Sequence, residues 1–424
     1  MKTFPYKQII KYLYLLFTLI SVSSLQAQNG FVVGHNQTDL SLIPDLWINQ
    51  AKANLHIAYN HTSHGSQLIT GMNALKNYPD FGDKYNWSDT SSGDNLSLSL
   101  DDHGIPGIPD LSQGDTDTDG NGIAQWAEDT YNFLDNPDNY HINVIMWSWC
   151  NISGHDIPRY LNSMSWLINQ FGVNGSHPRA ASHPVQFVFM TAHANGGGEG
   201  DSSDSRNEQI RNYVNTHDAI LFDFSDIENY DPDQNYYLDK RLTDALFYDN
   251  TPPYDSGSRD GNWAVEYINA HSNSELDKLT TGNNVANYNG CSSCAHSDGP
   301  NNLARLNCVL KGRAAWYLFA RLAGWDGSTN EISTLNQSNS NFKIYPNPFK
   351  KETIIHYTLE KDTPVFIDLY DVYGKKIKKL VNGYQTSGKH QISLTNEGLS
   401  KGIYLVSFNT PNRHEIAKII LKGI

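Results

Sequence analysis

Basic side chains and long apolar runs are both scarce in this sequence. The 31 Lys and Arg residues are outnumbered by 45 Asp and Glu residues, and the formal charge of −14 argues against nucleic acid or an anionic membrane as the main partner. After residue 27 no apolar run is long enough to span a bilayer, so we expect no transmembrane segment in the mature chain. Aromatic residues reach 12%, which is typical of a globular protein and too many for a disordered one.

Residues 1–27 are typical of an export signal. Three lysines precede the apolar run Tyr12–Val22, and small residues lead to Ala27. The run is shorter than the roughly 20 apolar residues that a membrane anchor needs. We therefore predict a signal peptide that is cleaved after Ala27 and an exported mature chain.

The chain has only four cysteines, and in an exported protein they meet an oxidising compartment. Cys291, Cys294 and Cys308 lie close together in sequence, a spacing that would suggest zinc in a cytosolic protein. Export favours disulfides instead. With Cys150 included, three pairings are possible, and the sequence leaves the choice open.

The last part of the chain differs in composition from the rest. A Ser- and Asn-rich linker over residues 328–340 precedes residues 341–424, which carry 13 basic against 7 acidic side chains. Short runs of alternating polarity, separated by turn residues, predict a small β-sandwich there. The motifs NFKIYPNP from Asn341, LYDVYG from Leu369 and GIYLV from Gly402 resemble the type A sorting domain of the type IX secretion system. The resemblance implies the type IX machinery as partner, and release or surface attachment.

Residues 28–327 contain the expected catalytic domain and most of the acidic charge; residues 28–340 have a net charge of −23. Buried-looking strands alternate with helical segments, which predicts an α/β fold, a three-layer parallel sheet flanked by helices. The predicted strands are Leu55–Tyr59, Asn143–Trp147, Val185–Met190 and Ala219–Phe224.

Polar, Gly-rich or His-bearing segments follow these strands. Parallel strands present ligand sites at their carboxyl ends, so these segments predict a site at one edge of the sheet. They are Asn60–Ser66, Trp147–Gly154, Thr191–Glu199 and Ser225–Glu228, and Cys294–Gly299 joins them before the last helix.

The order of these segments resembles the SGNH (GDSL-like) hydrolase superfamily. In that resemblance Ser63 is the nucleophile, on a turn with Gly65, and His296 is the base before the final helix. The amides of Ser63 and Gly93 and the side chain of Asn151 would form the oxyanion hole. The chemistry is coherent, because a serine hydroxyl needs a base within hydrogen-bond reach and the oxyanion needs preorganised donors.

Several assignments stay open. Ser66 competes with Ser63 as nucleophile, and Ser63 could simply cap the following helix. The family places an Asp three residues before the histidine, where this chain has Ser293. Asp298 is then the candidate to orient His296, or the site is a Ser–His dyad.

A second motif, DTDGNGIAQWAE from Asp117, has the spacing of a calcium loop. Asp117, Asp119 and Asn121 take the first alternating ligand positions, and Glu128 takes the twelfth. Structural Ca²⁺ is therefore the predicted cofactor, against a solvated acidic turn; we predict no organic cofactor.

Five further residues near the strand ends are candidates for substrate binding. They are His61, His64, His193, Arg206 and Trp149. An aromatic face stacks on a sugar ring and an arginine binds an acid group. The alternatives are a core position for Trp149 and a surface ion pair for Arg206.

Three functions fit this sequence. The first is a carbohydrate ester hydrolase, the second a polysaccharide lyase acting on uronates, and the third a non-catalytic carbohydrate-binding or adhesin protein. The acidic charge of residues 28–340 disfavours the lyase, because that charge repels anionic glycans.

Overall fold

The computed structural model describes residues 30–89, 97–328, 342–359, 361–371, 376–410 and 413–422. The predicted signal peptide, Gly93 and residues 329–340 of the linker lie outside the described residues. The helices and strands before the linker are β1 (Phe31–Val33), α1 (Asp45–Asn54), β2 (His56–Asn60), α2 (Ser66–Asn77), β3 (Trp87–Ser88), β4 (Leu98–Asp102), α3 (Leu111–Gly114), α4 (Gln125–Asp135), β5 (Val144–Trp147), α5 (Ile157–Phe171), β6 (Gln186–Met190), α6 (Ser202–His217), β7 (Ile220–Phe222), α7 (Phe224–Asn229), β8 (Phe247–Tyr248), β9 (Gly261–Asn262), α8 (Trp263–Ala270), α9 (Glu275–Thr281) and α10 (Leu306–Leu322).

Seven of these strands form one parallel sheet in the order β1-β7-β6-β5-β2-β4-β3. The chain therefore leaves β2 toward β4 on one side and later returns to β5 on the other side. Such a reversal of strand order is where open α/β sheets bind ligands. The residues that follow β2 occupy this place.

Alternate residues of the central strands pack on opposite faces of the sheet. Val144 and Met146 of β5 belong to one core with α1, α2 and α10. Ile145 and Trp147 belong to a second core with α4, α5 and α6. Burial on both faces explains the continuous apolar runs of these strands and confirms the predicted three-layer architecture.

The four predicted strands correspond to β2, β5, β6 and β7. The prediction missed three strands of the sheet, β1, β3 and β4. β1 and β3 are edge strands of three and two residues, too short to show a periodicity. β4 ends in two acidic residues, so its sequence lacks the continuous apolar run of the other buried strands.

Helices α2 and α10 cross in direct backbone contact at Gly71 and Gly312. A Cβ on Gly71 would lie 1.8 Å from the carbonyl oxygen of Cys308, and one on Gly312 would lie 2.2 Å from the carbonyl carbon of Gly71. No larger residue fits at either position. This crossing places the start of α2 beside the loop that leads into α10.

A disulfide joins Cys294 to Cys308 and ties that loop to the first turns of α10. Cys150 and Cys291 are free thiols. Burial raises the pKa of the Cys291 thiol to about 12, so this group stays protonated and unreactive near neutral pH. Of the alternatives left open by the sequence, one disulfide is therefore present and joins two cysteines of the cluster.

The tail contains only antiparallel pairs among its described strands. They are β10 (Phe342–Tyr345), β11 (Glu352–Leu359), β12 (Thr363–Asp371), β13 (Lys376–Gln385), β14 (Gly388–Thr395), β15 (Gly402–Thr410) and β16 (Arg413–Leu421). They form sheets of order β10-β11-β14 and β13-β12-β15-β16, and one buried cluster includes side chains from both. No helix within the described ranges is long and apolar enough to cross a membrane.

Candidate functional site

Ser63 lies on a sharp turn between β2 and α2. Its backbone φ is +43°, a left-handed conformation that is costly for a residue with a side chain. Gly65 follows in a tight position, because a Cβ there would lie 2.0 Å from Ser148 Oγ. A strained strand-to-helix turn is typical of exposed nucleophiles in α/β enzymes.

The structure brings Ser63 and His296 together although 233 residues separate them. Ser63 Oγ lies 2.5 Å from His296 Nε2, within hydrogen-bond distance. The His296 side chain is 43% exposed, so the pair is open to solvent and to a large substrate. His296 also has a positive φ, of +62°.

The other nitrogen of His296 faces Asp244, a residue that the sequence analysis did not single out. His296 Nδ1 lies 3.7 Å from Asp244 Oδ2, which is ion-pair rather than hydrogen-bond distance. Asp244 lies in the loop between the 3-10 turn Leu238–Lys240 and β8, and no long strand or motif precedes it. Ser63, His296 and Asp244 thus form a chain of hydroxyl, imidazole and carboxylate.

His64 shares the Asp244 carboxylate. Its Nε2 lies 3.1 Å from Asp244 Oδ2, while its buried Nδ1 has no hydrogen-bond partner among the described residues. Burial lowers the pKa of His64, against the raising effect of Asp244, so the ring is neutral and its proton lies on Nε2. Burial opposes ionisation of Asp244 as well, but the His64 bond and the nearby histidines outweigh it and lower the pKa of that carboxyl.

Three imidazole rings stack at this place. The ring of His64 lies between those of His193 and His296, at centroid distances of 3.7 and 3.9 Å. His193 Nδ1 lies 2.7 Å from the carbonyl oxygen of Ala194, which orients its ring. The predicted binding residues His64 and His193 are therefore buried beside His296 rather than exposed to a sugar.

A fully buried ion pair lies behind these loops. Lys311 of α10 and Glu228 of α7 meet at 2.5 Å, and both side chains are 0% exposed. Glu228 Oε2 accepts the amide of Ala194 at 2.7 Å, next to His193. Lys311 also donates to Gln67 Oε1, and Gln67 Nε2 in turn donates to the carbonyl of Ala295, next to His296.

The same network reaches Asp244. Asn307 Nδ2 donates to Ser297 Oγ at 3.0 Å, and Ser297 Oγ donates to the Asp244 carbonyl at 3.0 Å. Asn307 also contacts Glu228 at 3.3 Å. One buried polar network therefore holds the backbone beside His193, beside His296 and at Asp244.

The alternative nucleophile and the expected orienting carboxylate have other partners. Ser66 Oγ donates to the Ser63 carbonyl at 2.6 Å, a bond local to the first turn of α2. Asp298 accepts from Arg305 at 2.7 Å, from Ser293 and from the Cys294 amide, so it braces the loop before α10. The carboxylate that faces His296 Nδ1 is therefore that of Asp244 rather than that of Asp298.

Three other predicted residues have local partners. Asn151 is exposed, and its Oδ1 accepts the Ser153 amide at 2.9 Å; no hydrogen bond among the described residues joins it to Ser63. Trp149 is only 2% exposed and packs on Tyr160, so it belongs to the core and offers no face to a sugar. Arg206 donates to the carbonyls of His155 and Ser202, which joins the first turns of α6 to the loop before α5.

The residues of the predicted calcium loop form hydrogen bonds with one another. Asp117 accepts the amides of residues 120–122, and these bonds lower the pKa of its carboxyl. Asn121 Nδ2 donates to Asp119 and to Glu128, at 2.9 Å each. The four predicted ligands are thus neighbours, while Asn121 directs its amide nitrogen at the two carboxylates.

A cavity of about 480 Å³ is bordered by residues that follow β6 and β7. Its lining combines two tyrosines with several carboxylates, and Arg211 is paired there with Asp223 at 2.7 Å. The tyrosines are Tyr230 and Tyr236, whose rings lie 5.0 Å apart. Aromatic faces beside hydrogen-bond acceptors suit sugar rings and their hydroxyl groups.

Residues 343–422 match the family model described as a secretion system C-terminal sorting domain. The tail is therefore a sorting domain of type IX secretion, and the protein is exported to the medium or to the cell surface by that machinery. This match confirms the sequence-based prediction for the tail and its destination.

Among solved structures, the crystal structure of dimeric latent PorU from Porphyromonas gingivalis is similar at 17% identity and a TM-score of 0.16. The likeness covers 20% of this chain and only 9% of the PorU chain, so it carries no argument about fold or activity. Comparison with curated proteins gives no match.

Proposed function

We propose that residues 30–328 form a serine-dependent acyl hydrolase of the SGNH-like type, which removes acyl groups from carbohydrate. The observation that carries the proposal is the 2.5 Å distance from Ser63 Oγ to His296 Nε2 on a strained turn after β2. The strand order β4-β2-β5-β6-β7 within the sheet, with the serine after β2, where the strand order reverses, supports the same assignment.

The geometry suits general-base activation of the serine. As Ser63 Oγ attacks an ester carbonyl, its proton passes to His296 Nε2, and the imidazolium that forms faces the Asp244 carboxylate. The neutral His64 ring stacked on His296 adds no competing positive charge. The proton then passes to the leaving alcohol, and water releases the acid by the reverse sequence.

A glycan substrate is supported by the exposure of His296 and by the cavity bordered by residues that follow β6 and β7. His296 is open to solvent, which allows a polymer to approach. The cavity with Tyr230 and Tyr236 offers stacking faces among carboxylates, and this composition suits a neutral sugar better than a uronate. An acylated neutral polysaccharide is therefore the proposed substrate.

A fluorophosphonate probe tests the mechanism, and an acid-release screen tests the substrate. We expect one covalent adduct per chain, located at Ser63 by fragmentation mass spectrometry, and release of acid from acetylated polysaccharides. Heat-denatured protein is the control for non-specific labelling. An adduct on Ser66 would contradict the assignment of the nucleophile.

The same screen separates the two alternative functions. A polysaccharide lyase would leave the probe unreacted and produce unsaturated uronates that absorb in the ultraviolet. An adhesin would give neither product yet retain glycan on a pull-down. Either pattern overturns the hydrolase.

Calcium binding by the loop from Asp117 to Glu128 stays a prediction, since a bound ion would need the Asn121 side chain to turn its oxygen inward. At a free calcium concentration about 100 times the dissociation constant, the folded state should gain about 2.7 kcal/mol. The measurement is the urea midpoint followed by tryptophan fluorescence. Glu128→Gln is the control and should abolish the gain; a midpoint that neither calcium nor chelator moves in the wild type refutes the site.

A further inference from the structure

Three side chains of types that bind metals lie together at the same edge of the sheet as Ser63. Asp102 is the last residue of β4, His103 follows it, and His61 follows the neighbouring β2. The parallel register pairs Tyr59 with Asp102, which brings the two strand ends level. We name these three residues the His61–Asp102–His103 cluster.

The cluster is compact. His61 Nε2 lies 2.6 Å from Asp102 Oδ1, and His103 Nε2 lies 3.9 Å from the same oxygen. The two imidazole rings are 4.4 Å apart and tilted by 38°. One ligand atom from each residue can be chosen so that all three lie within 4.8 Å of one another.

We propose that the His61–Asp102–His103 cluster binds a divalent transition metal, with Zn²⁺ as the preferred ion. Two imidazoles and one carboxylate form a nitrogen-rich donor set that suits zinc and not calcium, which takes oxygen ligands. Tetrahedral zinc with bonds of about 2.0–2.2 Å holds its ligand atoms roughly 3.3 Å apart. The observed 2.6 and 3.9 Å separations lie on either side of that value, so small side-chain rotations close the site.

The backbone and the burial of the cluster suit such a site. His103 has a left-handed φ of +59°, a conformation that costs energy for a histidine and turns its ring toward His61. His61 is only 3% exposed, whereas the His103 side chain is 52% exposed. A metal there would have one rigid ligand, one mobile ligand and a solvent-facing side.

Three protein ligands leave one tetrahedral position for water or for a substrate oxygen, as in catalytic zinc sites. His61 precedes Ser63 by two residues on the same strand end, so a substrate oxygen bound at that position would belong to the molecule that approaches the serine. The excess of acidic residues over residues 28–340 favours cations generally, whereas two imidazoles and one carboxylate favour zinc among them. Metal binding does not depend on the proposed hydrolase activity.

The test uses the full mature protein, treated with chelator and then titrated with Zn²⁺ by calorimetry. Co²⁺ replaces zinc in a parallel experiment, because a tetrahedral site gives it strong visible absorption. We expect one Zn²⁺ per chain in the wild type. His103→Ala removes an exposed ligand without disturbing the core and should weaken binding about tenfold or more, and Asp102→Asn should do the same.

Two controls make the result decisive. His183→Ala removes another exposed histidine and should leave zinc affinity unchanged. Asp244→Asn disables the second group with ligand spacing among the described residues, His64, His193 and Asp244. The proposal is overturned if the wild type binds no zinc, if His103→Ala binds it as tightly as the wild type, or if only Asp244→Asn abolishes binding.

Discussion

Replacing Ser63 with alanine is expected to reduce acyl-ester turnover by about 10⁴-fold or more, and His296→Ala should have a similar effect. The reason is the 2.5 Å contact between the hydroxyl and the imidazole, which makes the two groups one proton-transfer unit. The double variant should lose little more than either single one, because residues that act as a unit are not additive. The measurement is the turnover number on the ester found by the screen, with the rate of fluorophosphonate labelling as a second readout.

Ser66→Ala is the matched control for this pair. Ser66 bonds only locally, to the Ser63 carbonyl, so its loss should change turnover by less than about tenfold. Asp244→Asn should reduce turnover more than Ser66→Ala and less than Ser63→Ala, since Asp244 lies 3.7 Å from His296 and is shared with His64. Full activity in Ser63→Ala would remove the basis of the proposed mechanism.

Breaking the buried ion pair should have the largest effect on stability. Glu228→Gln leaves the Lys311 ammonium without its anionic partner in a fully buried place, and such losses cost about 3–5 kcal/mol. The denaturant midpoint of tryptophan fluorescence measures this cost in the main domain alone, because all nine tryptophans precede the linker. The double variant Glu228→Gln with Lys311→Met should recover part of the loss, since no charge is then buried.

The stability that Glu228→Gln loses should also depend on pH. In the wild type burial already lowers the pKa of Lys311 to about 8, although Glu228 raises it. Without Glu228 that pKa falls further, while the unfolded lysine keeps its proton up to about pH 10.4. The unfolded state then binds more protons, so the stability of the variant should rise from pH 6 to pH 9. A loss of stability that is the same at pH 6 and at pH 9 would mean that Lys311 remains charged over this pH range.

The sequence predicted four of the seven strands of the sheet and indicated that Ser63 and His296 lie at the same edge of it. The strands follow from periodicity and the shared edge from the convergence of strand ends, whereas the pairing of Ser63 with His296 came from the resemblance to SGNH hydrolases. Asp244 could not be found in this way, since it follows no long strand and the family pattern has its carboxylate three residues before the histidine. Its role depends on how an irregular loop folds back over the histidines.

Burial explains the other differences. Trp149 looked like a stacking surface because it follows a strand, but the strand end still lies beneath α5, where Tyr160 covers the ring. Nothing in a single sequence tells a tryptophan of the rim from one of the core. The disulfide likewise could not be assigned without the position of α10 relative to the loop that holds Cys294: only Cys294 and Cys308 are joined, and Cys150 and Cys291 are free.

The crossing at Gly71 and Gly312 has a consequence for motion at the site. Ser63 immediately precedes α2, while His296 lies in the loop that a disulfide ties to α10. With their backbones in contact, the two helices cannot slide past each other, so a shift of this layer over the sheet carries the serine and the base together. Asp244 comes from another loop, which the hydrogen bond from Ser297 Oγ to the Asp244 carbonyl ties to the same unit.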